Sequence, residues 1–104
     1  MGFQINLPFE KNLLRIAFTF DFKNSDSGAT VELSINGDTA WYTFIQDREG
    51  EEPNQKVGVF EEFLYSVSEN EAKFEWKVLQ GEDKKITDDF FFGVSSLVVK
   101  AISQ

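Results

Sequence analysis

A chain of 104 residues with 18 Asp and Glu, 10 Lys and Arg, no His and no Cys carries a formal net charge of −8. The negative excess disfavours nucleic acid and anionic membrane surfaces and favours a basic partner. Without His or Cys there is no neutral-pH proton shuttle, no thiolate nucleophile and none of the ligands that dominate zinc, copper and haem sites, so no enzyme, metal or cofactor is expected.

The length fits a single domain over residues 1–104, monomeric or in a small homo-oligomer, with one core. Twelve Phe, two Trp and two Tyr make that core aromatic. Residues 1–9 have neither the basic flank nor the apolar run of a signal peptide, and no stretch approaches the ~20 apolar residues of a membrane span. With no disulfide possible, the cytoplasm is the expected compartment.

The clearest element comes next. Leu14, Ile16, Phe18, Phe20 and Phe22 alternate with Arg15, Ala17, Thr19, Asp21 and Lys23, the period of two of a strand buried on one face. After a turn at 24–28, Val31, Leu33 and Ile35 alternate with Thr30, Glu32 and Ser34 and run into Asn36-Gly37, the pair that best tolerates the positive φ angles of a type I′ hairpin turn. The spacing predicts a hairpin over 29–46. Its return strand carries Trp41, Tyr42, Phe44 and Ile45, apolar on both faces, which predicts a central or doubly covered position.

Residues 47–56 read as a solvated acidic loop with Gly50 and Pro53. Beyond it, Val57, Phe60, Phe63, Leu64 and Val67 recur at spacings of three and four, which predicts a helix over 55–68 with Asn54 as its N-cap. Gly58 argues against that helix, and Val57, Val59, Phe63, Tyr65 and Val67 also fit a strand. Ala72, Phe74, Trp76 and Val78 then mark a half-buried strand, and 81–85 a polar turn. Residues 88–102 satisfy either a helix or a strand; their aromatic and β-branched density favours a strand with a bulge or bend at Gly93. The expected fold is α+β: a largely antiparallel sheet of five to six strands with one helix packed on it.

Chemistry-bearing constellations are sparse. No His serves a Ser triad, no Ser-x-x-Lys spacing occurs, and paired carboxylates carry no signal in a chain so rich in acids. The loop acids Asp47, Glu49, Glu51 and Glu52 do not fit an EF-hand frame, because with Gly50 at the turn position the first ligand position falls on Ile45. Neither a phosphate-binding fingerprint nor a basic stripe is present.

The charge is unevenly spread, since residues 47–89 hold thirteen acids against six bases. On the helix reading, Glu62, Tyr65 and Glu69 share an exposed face, a tyrosine ringed by carboxylates, and with Asp47, Glu49, Glu51 and Glu52 form the candidate partner-binding set. The first functional expectation is therefore a small acidic inhibitor, an immunity protein in physical type, that masks the basic active site of a partner such as a nuclease toxin. The alternatives are a small-ligand-binding β-rich domain whose surplus aromatics line a pocket, and a non-catalytic structural or adaptor subunit.

Overall fold

The computed structural model describes residues 2–24, 29–45, 54–80 and 91–104. Leu14, Ile16, Phe18, Phe20 and Phe22 are all buried, as their alternation requires, on β2 (Asn12–Asn24). This strand lies between β5 (Asn54–Val67) and β7 (Phe91–Ser103), antiparallel to both. The second antiparallel sheet has the order β1 (Gly2–Asn6), β6 (Glu71–Gln80), β3 (Ala29–Ile35), β4 (Asp38–Ile45). The inner faces of the two sheets bury one another: Val31, Leu33, Ile35, Ala72 and Phe74 on one side meet the even residues of β2 on the other. Phe18 is the hub, its ring meeting Trp41, Trp76 and Phe63 edge-on at 4.8, 5.3 and 6.4 Å.

The α+β expectation is overturned: the described residues form two antiparallel sheets and no helix, hence none long and apolar enough to cross a membrane. The segment read as a helix over 55–68 is β5, and Asn54, expected as its N-cap, pairs with Asn24 at the start of the strand. Val59, Phe63, Tyr65 and Val67 face the core, whereas Phe60 and Leu64 stand outward at 62% and 61% exposure. The spacing of three and four arose from combining apolar residues on opposite faces of one strand. Gly58, at φ 67°, sits in a bulge where Val57 and Gly58 together oppose Asp21, and its N–H donates to Asp21 Oδ1 at 2.7 Å.

The hairpin is as the sequence predicts: Asn36 and Gly37, at φ 53° and 88°, form a two-residue turn between Ile35 and Asp38. Asn36 also docks on β6, its Oδ1 accepting from the Lys73 N–H at 2.8 Å and its Nδ2 donating to the Glu71 carbonyl at 3.1 Å. The central placement of the return strand is corrected. β4 pairs only with β3 among the described residues, and Tyr42 and Phe44 are 68% and 59% exposed. The 88–102 segment is a strand where described, but its irregularity lies at Ser95, the extra residue between the Thr19–Ser96 and Phe20–Val94 pairs, and not at Gly93.

Candidate functional site

Strand alternation separates the residues that the helix reading had grouped. Glu62 points outward from β5 among Phe60 and Leu64 and pairs with Arg15 Nη2 at 2.9 Å. Tyr65 is on the opposite, inward face, half-buried beside the β3–β4 turn, where burial first and the Asp38 carboxylate second push its phenol pKa upward. Glu69 follows β5 in the connection to β6. With Tyr65, Asn36 and Asp38 it lines a small polar depression of about 160 Å³. The structure thus brings Tyr65 and Glu69 together and places Glu62 elsewhere. The acidic helical face with a central tyrosine does not exist, because Glu62 and Tyr65 stand on opposite faces of β5. Asp47, Glu49, Glu51 and Glu52 lie outside the described residues, and no cluster of three or more metal-ligating side chains occurs among those described.

A different site lies between the two sheets. A cleft of about 480 Å³ runs between β6 and β7, beside β1. Its walls are Trp76 and Val78 from β6, Phe3 from β1, and Phe92, Val94 and Leu97 from β7, with Gly2 and Gly93 at positions that carry no side chain. Trp76 and Phe92 are tilted against one another at 5.7 Å, and Phe92 continues to Phe20 at 5.4 Å, so the cleft is the open end of the aromatic core.

Among the described residues no ionisable side chain lines this cleft, and those that do can exclude water from an apolar group and stack against rings. The surplus of phenylalanine pointed toward an aromatic pocket. The residues that form it, Phe3, Trp76, Val78, Phe92, Val94 and Leu97, were not separable from core residues in the sequence, because the cleft depends on how β1, β6 and β7 meet. Comparison with known protein families, with curated proteins and with solved structures finds no match.

Proposed function

We propose that the protein is a non-catalytic binding domain that receives an apolar group of its ligand in the cleft between β6 and β7. The observation that carries this is a cleft of about 480 Å³ walled, among the described residues, by carbon-rich side chains and glycine backbone, within the roughly 300–1,000 Å³ of typical ligand pockets. The net charge of −8 supports a neutral or cationic ligand over an anionic one.

Titration with naphthalene, an uncharged aromatic probe, tests the reading. Saturable NMR shifts are expected at Val78, Val94 and Leu97, with Leu14 and Val67, toward the opposite end of the β2–β5 pair, unmoved. Leu97→Trp, which fills the cleft, should abolish them. Shifts scattered over the exposed face of β5, or no saturation, would refute the assignment.

A further inference from the structure

We infer that the outward face of the β5–β2–β7 sheet is an interface between two copies of this chain, stacked face to face about a two-fold axis. The inference is independent of the cleft, which opens between the two sheets of one copy. Along the half of the sheet from Thr19 to Leu13, Phe60, Leu64, Val98 and Ile102 stand outward at 62, 61, 51 and 50% exposure. A contiguous apolar surface of that kind marks an interaction site. Residues 25–28, 46–53 and 81–90 all attach at the other end of these strands, beside Lys23. Arg15 is roughly 26 Å from that end at about 3.3 Å per residue, beyond the ~20 Å that a ten-residue segment anchored at both ends can extend.

Charge and shape both select a second copy. The chain holds 18 acids and 10 bases, yet on this half of the face Arg15 and Lys100 stand against Glu62 alone. The acids behind the charge of −8 therefore lie outside the contact. Register sets Leu64, Arg15 and Lys100 in one row across the strands and Glu62, Ala17 and Val98 in the next. A two-fold axis running across the strands between these rows exchanges them, so that Arg15 of each copy lies over the partner's Ala17, beside the partner's Glu62.

Ala17 is the floor of a depression of about 280 Å³ bounded by Arg15, Glu62, Val98 and Lys100, which gives the incoming guanidinium room. Stacked sheets lie about 10 Å apart, within reach of an arginine. Glu62 already accepts from Arg15 Nη2 at 2.9 Å through Oε1, and its second oxygen serves the partner's arginine, closing a ring of alternating charges. The same axis sets Phe60 over the partner's Ser66 and Ile102 over the partner's Ser96, large side chain over small.

Sedimentation equilibrium of the wild type tests this, read across protein concentration at low salt and at about 0.5 M sodium chloride. Monomer and dimer should exchange, with the dimer favoured as salt rises, because screening weakens the repulsion between two chains of −8. Leu64→Lys should abolish the dimer and leave the urea midpoint in low salt nearly unchanged, since the side chain is outward in the monomer. At the higher salt, Arg15→Glu and Glu62→Arg alone should each weaken self-association about tenfold or more, and an equimolar mixture of the two should recover it, because each charge then meets its opposite across the axis. A chain that stays monomeric at millimolar concentration in high salt overturns the inference. So does a dimer that survives Leu64→Lys, which places the contact elsewhere, and a mixture no tighter than its components overturns the two-fold arrangement.

Discussion

Tyr65 couples its burial to alkaline stability. Its phenol is held above the ordinary 10.0, by desolvation first and by Asp38 second. The folded protein therefore keeps this proton at a pH where the unfolded chain has released it. The linked stability is complete below 10.0 and is lost as pH rises from there through the higher folded value. Urea midpoints followed into the alkaline range should fall for the wild type and fall less for Tyr65→Phe, with Asp38→Asn between them; parallel profiles would contradict the coupling. Asn12 shows what a single residue can hide. It is fully buried, its Oδ1 accepting from Phe9 N–H at 3.2 Å and its Nδ2 donating to the Phe9 and Glu69 carbonyls at 2.7 and 3.1 Å. In the sequence it reads as a polar residue ahead of a strand, because a partner 57 positions away supplies the reason for its burial.

Among the elements, legibility followed how cleanly each strand divides its faces. β2 was plain because every even residue from Asn12 to Phe22 enters the core. β5 was not, because its inward set of Val59, Glu61, Phe63, Tyr65 and Val67 contains an acid and its outward set contains Phe60 and Leu64. Outward apolar residues and an inward acid cancel the period of two and leave a pattern that mimics a helix. Glu61 also blunts this sheet edge, since an inward charge disfavours pairing with another chain. Gly58, read as a weakness in a helix, is instead the residue the bulge requires. Open space surrounds the position of its missing Cβ, so substitution there strains the backbone without a clash. Gly58→Ala should cost about 1 kcal/mol in urea denaturation and Gly58→Asn less, because Asn tolerates a positive φ more readily. Equal stability of all three would mean that the bulge does not hold a positive φ.

At the level of the molecule, β2 and β7, each of 13 residues, span roughly 43 Å at about 3.3 Å per residue, which accounts for the long axis of 50 Å. The net charge of −8 has little compensation from ion pairs: among the described residues only Arg15–Glu62 and Lys77–Glu75 pair, and both are about half exposed. Exposed pairs contribute about 0–1 kcal/mol each, so self-repulsion outweighs them. The melting temperature should therefore rise between low salt and about 0.15 M sodium chloride, where the Debye length falls to about 8 Å. A fall would assign more stability to the two ion pairs than their exposure allows. The cleft belongs to this same scale, since its walls come from β1, β6 and β7, strands far apart in the chain, and no local pattern encodes their meeting.

The placement of β2 between β5 and β7 has a consequence for biosynthesis. A nascent chain that has emerged through Gln80 contains every strand of the four-stranded sheet, yet β2 has only β5 beside it. Until β7 follows, the longest uninterrupted run of buried aromatic residues in the protein has one open flank, and this interval during translation is when a chaperone has most to protect.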